Sequence, residues 1–248
     1  MTRRDTRPRR RASAGRSVVA AACLMLASAC SQTVSGDPRP EPAALTGTAS
    51  APAPAPAIVR APGELVLPPE RFPEPYVAVV LPPEAVAQAA PDLTGIQPGS
   101  RVDPGGCLPP AQDYGPESTA MVVGTDNASR ATISVEVTRP APDLAEYRTY
   151  LTECSQVDAT VRGITSTVST VLGDDPAAPL DGAGTLALTR TVDSGRGSGG
   201  MTQSMATRIA QIEDVRVTVT YMSFDAAAPD TDNLDRVFRE AVDFAARP

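Results

Sequence analysis

Residues 31–63 are not expected to contribute to a packed core. They are dominated by Pro, Ala, Ser, Thr and Gly and centre on the run Ala51-Pro52-Ala53-Pro54-Ala55-Pro56-Ala57. Few of these side chains are large enough to bury, and alternating Pro favours an extended polyproline II path over helix or sheet. The thirty residues before this segment are too few for a domain of their own. The folded body is therefore expected in residues 64–248, with residues 30–63 as a disordered tether. At about 3.1 Å per residue such a tether spans roughly 100 Å.

Residues 1–29 read as an export signal. Seven Arg (Arg3, Arg4, Arg7, Arg9, Arg10, Arg11, Arg16) precede Ser17 to Ala29, which carry no charge. That stretch is too short to span a bilayer, which takes about 20 apolar residues, and suits a signal-peptide core. It ends Leu26-Ala27-Ser28-Ala29-Cys30. Small residues before a cysteine fit a bacterial lipobox, in which Cys30 receives diacylglycerol and becomes the mature N-terminus. Leu26 sits one place earlier than in the commonest pattern. An ordinary secretory signal cut near Ala29 is the alternative, and Cys23 is a competing cysteine with a shorter apolar core before it. The Arg pairs also suggest twin-arginine export, without the hydrophobic residue expected after the pair. The acyl chains would hold the chain on the extracytoplasmic face of the cell membrane.

Composition then removes several function classes. The chain has no His and no Lys, so its 22 basic residues are all Arg. Seven of these, and one of the 29 acids, fall before residue 30, leaving 15 Arg against 28 acids. So acidic a body repels phosphate backbones, and no nucleic-acid partner is expected. Without His or Lys there is no Ser-His-Asp, Cys-His or Ser-Lys machinery and no Schiff base. Of four cysteines, Cys23 leaves with the signal and Cys30 takes lipid. Cys107 and Cys154 remain and allow one pairing, expected as a disulfide outside the cytoplasm. Zinc would need further Cys or His ligands, which the sequence lacks.

Hydrophobic patterning assigns the body. Pro82 to Ala90 reads as a short helix with Pro in its first turn and Pro91 after it. Thr119 to Gly124 reads as a strand, and Ile133, Val135 and Val137 alternate with Ser134 and Glu136. Leu144, Tyr147, Leu151 and Cys154 make one helical stripe. Strands are expected at about 158–171, 185–192, 203–211 and 215–223. Leu234, Phe238, Ala241 and Ala245 mark a final helix capped from Asp230, Thr231 and Asp232. The fold class is α+β: an antiparallel sheet of five to six strands, with helices on one face and one disulfide.

Three motifs invite a chemical reading. Gly195 to Gly200 has the glycine density of a phosphate loop, but strands flank it on both sides, so a hairpin loop is expected. Asp230, Asp232 and Asp235 have part of a calcium-loop spacing, but Leu234 stands at a ligand position and helix capping explains them. Asn127-Ala128-Ser129 matches a glycosylation acceptor and reads as a turn. Glu136, Glu146, Glu153, Asp158, Asp174, Asp175 and Asp181 supply carboxylates for a hydrolase pair, but no spacing fixes two of them together.

Taken together, these segments resemble a group of uncharacterised actinobacterial lipoproteins, best known from mycobacteria. That group is similar in turn to the extracellular sensor domain of mycobacterial membrane Ser/Thr kinases. The resemblance runs over about residues 70–247. It rests on Arg71-Phe72-Pro73-Glu74-Pro75-Tyr76, Cys107 in a Pro/Gly-rich loop, Cys154 beside a helix, the strand Ala206 to Phe224 and the helix Leu234 to Ala246. The sensor domains of those kinases usually carry two disulfides, whereas this body can form one, and no kinase domain is read in this sequence. The resemblance implies an α+β fold with a groove and brings no catalytic residues.

The expectation is a membrane-anchored, non-enzymatic domain that binds a ligand or an envelope protein, with no cofactor and no metal. One version carries an apolar cell-wall lipid in a cavity between sheet and helices, lined by residues such as Val135, Tyr147 and Phe238. The alternative is a hydrolase working through a carboxylate pair.

Overall fold

The structure, a computed structural model, describes residues 60–178, 180–195, 200–224 and 228–247. The export signal, Cys30 and nearly all of the Pro/Ala-rich tether lie outside the described residues.

Nine strands form one antiparallel sheet. They are β1 (Val77–Val80), β2 (Arg101–Asp103), β3 (Thr119–Thr125), β4 (Thr132–Thr138), β5 (Gln156–Val161), β6 (Ile164–Leu172), β7 (Gly184–Ser194), β8 (Met201–Ile212) and β9 (Val215–Ser223). Their spatial order is β1-β3-β4-β9-β8-β7-β6-β5-β2. Four helices pack against it: α1 (Pro62–Leu65), α2 (Pro83–Ala89), α3 (Leu144–Glu153) and α4 (Thr231–Ala245).

The expected five to six strands are thus corrected to nine. The segment 158–171 is two strands, because Arg162 (φ 51°) and Gly163 (φ 81°) turn the chain back on itself. A non-glycine residue at positive φ carries little sequence signal, unlike the Asn-Gly or Asp-Gly of common tight hairpins. β1 and β2 are four- and three-residue edge strands, too short to show a period of two.

The expectation of helices on one face is also corrected: both faces are covered. Side chains alternate across a strand, and the register shows which go where. Val215, Val217, Val219 and Tyr221 of β9 pair with Ile212, Ala210, Arg208 and Ala206 of β8. They form the first face, with Ile133, Val135 and Val137 of β4. α4 lies here, burying Leu234, Val237, Phe238, Ala241, Val242 and Ala245 along one stripe. Each large side chain so buried contributes about 1.5–3 kcal/mol. Asp230 starts α4, accepting from the Asn233 N–H at 3.1 Å, and Asp235 pairs with Arg208 at 3.0 Å.

The intervening residues make the second face. Leu186 and Leu188 of β7 and Ile209 of β8 meet Leu151 of α3, with Leu144, Tyr147 and Tyr150 alongside. α3 starts at Asp143, whose carboxylate accepts from the N–H groups of Ala145 (2.7 Å) and Glu146 (3.1 Å). It ends at Cys154, which forms the expected disulfide with Cys107 (Cα–Cα 5.5 Å). That bond ties α3 to the loop 104–118. A 3-10 turn (Ala90–Thr94) after α2 covers the rest of this face and stops at Gly95, φ 71°. A Cβ there would lie 2.6 Å from Val192 Cγ2, so glycine lets the turn seat against β7.

Candidate functional site

Between the second face and its covering of α3, the Ala90–Thr94 turn and loop 104–118 lies a cavity of about 440 Å³. Its floor is polar for a buried sheet surface. Successive rows across the strands read Thr138–Arg216, Glu136–Thr218–Ile209 and Ser134–Thr220–Thr207–Leu188, with Arg190–Thr170 further along. The Thr207 and Thr220 hydroxyls lie 3.0 Å apart and share one hydrogen bond. The opposite wall is apolar and aromatic: Leu93, Ile96, Tyr114, Tyr147, Tyr150 and Leu151.

Glu136 sits at one end of the floor and is 7 % exposed. Gln112 reaches in from loop 104–118 and donates to Glu136 Oε1 at 2.6 Å, with Thr119 and Thr138 oxygens within 3.3 Å of the same amide nitrogen. Burial pushes the Glu136 carboxyl above the usual carboxylate range, against the pull of the Gln112 hydrogen bond and the Arg216 charge. Arg216 stacks 4.8 Å over the Tyr147 ring. Its Nε and one terminal nitrogen donate to Gln211 Oε1 (3.2 and 2.9 Å), and that terminal nitrogen also donates to the Pro142 carbonyl. Burial lowers the Arg216 pKa and the neighbouring Tyr147, Glu136 and Asp143 raise it. Tyr114 and Tyr150 are both shifted up, chiefly by burial.

Arg190 occupies the far end, 7 % exposed. Its Nε donates to Thr170 Oγ1 at 3.1 Å and one terminal nitrogen donates to the Leu93 carbonyl. Glu136 stands three strands away, with Leu186 in its own row four residues from Arg190 along β7. That is about 13 Å along the strand and roughly 14 Å across the sheet.

The residues expected to line one cavity are separated. Val135 and Phe238 belong to the packed core under α4, whereas Tyr147 lines the cavity on the other side of the sheet. Of the seven acids considered for a catalytic pair, Glu136 alone lines the cavity. Glu146, Glu153, Asp158, Asp174, Asp175 and Asp181 are exposed elsewhere. Asp113 is at the rim, its carboxylate held below the usual range by the Gly115 N–H and the Ser118 hydroxyl. Among the described residues no three His, Cys, Asp or Glu side chains are grouped to hold a metal. Asn127-Ala128-Ser129 lies in the β3–β4 turn, where Asp126 accepts from the Ala128 N–H at 2.9 Å. Within Gly195–Gly200, residues 196–199 lie outside the described residues. The described strands on either side pair antiparallel, with Ser194 opposite Met201.

Sequence reasoning missed Arg190, Arg216, Gln112 and the threonine floor. A signal was present. β9 alternates Arg216, Thr218 and Thr220 with its valines, and two separate helical stripes, on α3 and α4, each need a surface to cover.

These features define an α+β domain whose sheet carries a packed apolar core on one face and a half-polar cavity on the other. No family model and no curated protein matches the chain. Among solved structures, it is similar to that of an uncharacterised protein of Mycobacterium smegmatis (Rv0999 ortholog). The match covers 68 % of this chain and 86 % of that one, at 17 % identity and a TM-score of 0.42. A likeness this distant assigns no function.

Proposed function

We propose that this domain binds an amphipathic small molecule in the cavity beneath α3, without transforming it, and is held by lipid on Cys30 at the outer face of the cell membrane. The lining of the cavity carries this reading. Its volume lies in the range of small-molecule sites, about 300–1,000 Å³, and it sets an aromatic wall against a floor of hydroxyls and charged groups. A wholly hydrocarbon ligand would leave Glu136, Arg190 and Thr218 facing groups that cannot hydrogen-bond, which is costly. A ligand with both characters matches both surfaces. The relation to actinobacterial envelope lipoproteins and kinase sensor domains belongs to the same proposal and rests on sequence texture.

The test is native mass spectrometry of the full chain purified from its own membranes, followed by titration with a fluorescent amphiphile. A co-purifying adduct that the amphiphile displaces is expected, and Thr218→Phe, which fills the floor beside Glu136, should abolish both. Amphiphile binding that is absent, or unaltered in Thr218→Phe, would refute the cavity reading. The anchor is tested separately: Cys30→Ala should move the chain from the membrane to the soluble fraction.

A further inference from the structure

Arg190 is unlike the other buried polar groups of the domain. A guanidinium has five N–H donors, and among the described residues this one makes two hydrogen bonds, to Thr170 and the Leu93 carbonyl. No carboxylate among the described residues pairs with it. The four ion pairs formed there use Arg71, Arg139, Arg148 and Arg208. Arg190 is nonetheless more than nine-tenths buried and lines the cavity. Glu136, the buried acid of the same cavity, is too far along the sheet to neutralise it. Arg216 differs, being spread over Gln211, the Pro142 carbonyl and the Tyr147 ring. A cation taken out of water without a counter-charge is strongly disfavoured, and an anion in the cavity relieves it.

We propose, building on the ligand-binding reading above, that Arg190 receives the acidic head group of the cavity's ligand. The ligand class is then an amphiphile bearing a carboxylate or phosphate. The fixed Thr170 and Leu93 contacts orient the guanidinium, and its remaining N–H groups supply the charge-assisted, forked hydrogen bonds that such oxyanions accept. From Arg190 the cavity runs past Leu188, Tyr150, Leu151 and Ile209, so the body of the ligand lies on apolar side chains.

The experiment is calorimetric titration of the full-length protein, extracted in a non-ionic detergent and exchanged below its micellar concentration, with four probes that share one alkyl chain. These are dodecanoate, dodecyl phosphate, dodecanol and dodecyltrimethylammonium. At least one anion should bind about tenfold or more tighter than dodecanol, with the cation weakest. The two anions distinguish a fatty-acid from a phosphate source. Arg190→Gln should erase the preference, so that the anions and dodecanol bind within about twofold of each other, Arg190→Lys should retain it in weaker form, and Arg148→Gln, in an exposed ion pair outside the cavity, should keep it. The wild-type series stands without any variant, so a poorly folding Arg190→Gln does not shelter the proposal. Equal binding of dodecanol and both anions overturns it and leaves the ligand-binding reading intact. A preference that survives in folded Arg190→Gln does the same. Binding of none of the four overturns both.

Discussion

Removing the disulfide offers a quantitative check on how this body is held together. Cys107 and Cys154 are 47 residues apart in sequence, and both are buried. Closing a loop of that length lowers the entropy of the unfolded chain enough to stabilise the fold by about 4 kcal/mol. The double variant Cys107→Ala/Cys154→Ala isolates that contribution, because alanine leaves no hydroxyl to satisfy in an apolar pocket. In a body of this size each kcal/mol moves the midpoint by about 2–4 °C, so Tm should fall by roughly 8–16 °C. The fold itself should survive. Loop 104–118 keeps its other attachments, the Tyr150 hydroxyl donating to the Cys107 carbonyl at 3.2 Å and Gln112 held on Glu136. Urea unfolding followed by circular dichroism measures the difference directly. A loss below about 1 kcal/mol would show that the unfolded chain already holds the two segments close and that the loop-entropy argument fails.

Three further outcomes follow from the packing. The Glu136 carboxyl holds its proton to higher pH in the folded state than in the unfolded chain. The native state thus binds more protons as pH rises from the ordinary glutamate value toward the raised one, and wild-type stability falls across that interval. Glu136→Gln keeps an acceptor for Gln112 and should flatten the fall, gaining on wild type as pH rises above the ordinary glutamate range. Parallel stability profiles would contradict this. Phe238→Ala should cost about 3–5 kcal/mol by emptying the core under α4, yet leave amphiphile affinity unchanged, because Phe238 is on the face opposite the cavity. Calorimetry of the folded variant checks the second half. Asp230→Ala removes the α4 cap and the acceptor for the Tyr76 hydroxyl (3.1 Å). It should cost about 1–2 kcal/mol in thermal melts.

Periodicity made the long elements legible. The valine alternation of β9, the stripe of α4 and the stripe of α3 are local patterns, and each forms within a residue or two of where the pattern places it. The number of layers was not legible. Ser134, Glu136, Thr218 and Thr220 look like a solvent face on composition, and only long-range packing puts α3 and loop 104–118 over them. The cavity was invisible for the same reason. Its floor is a polar alternation that sequence alone cannot distinguish from a surface, and its far wall comes from the Ala90–Thr94 turn, nearly a hundred residues before Arg190. The Cys107–Cys154 disulfide was legible because these are the two cysteines of the patterned body, and two cysteines leave one choice.

The start and finish of the folded body clasp each other. The Arg60 guanidinium donates to the Ala245 carbonyl at 2.9 Å and to the Arg247 carbonyl at 2.6 Å, closing off the last turn of α4. A polypeptide whose extremities already touch can be rewired. Joining them with a short linker and opening the chain at the exposed Arg162-Gly163 hairpin would reorder the gene while every strand kept its neighbours. Such a permutant would sever the junction where two residues sit at positive φ and would present new termini at the β5–β6 corner, far along the sheet from the clasp.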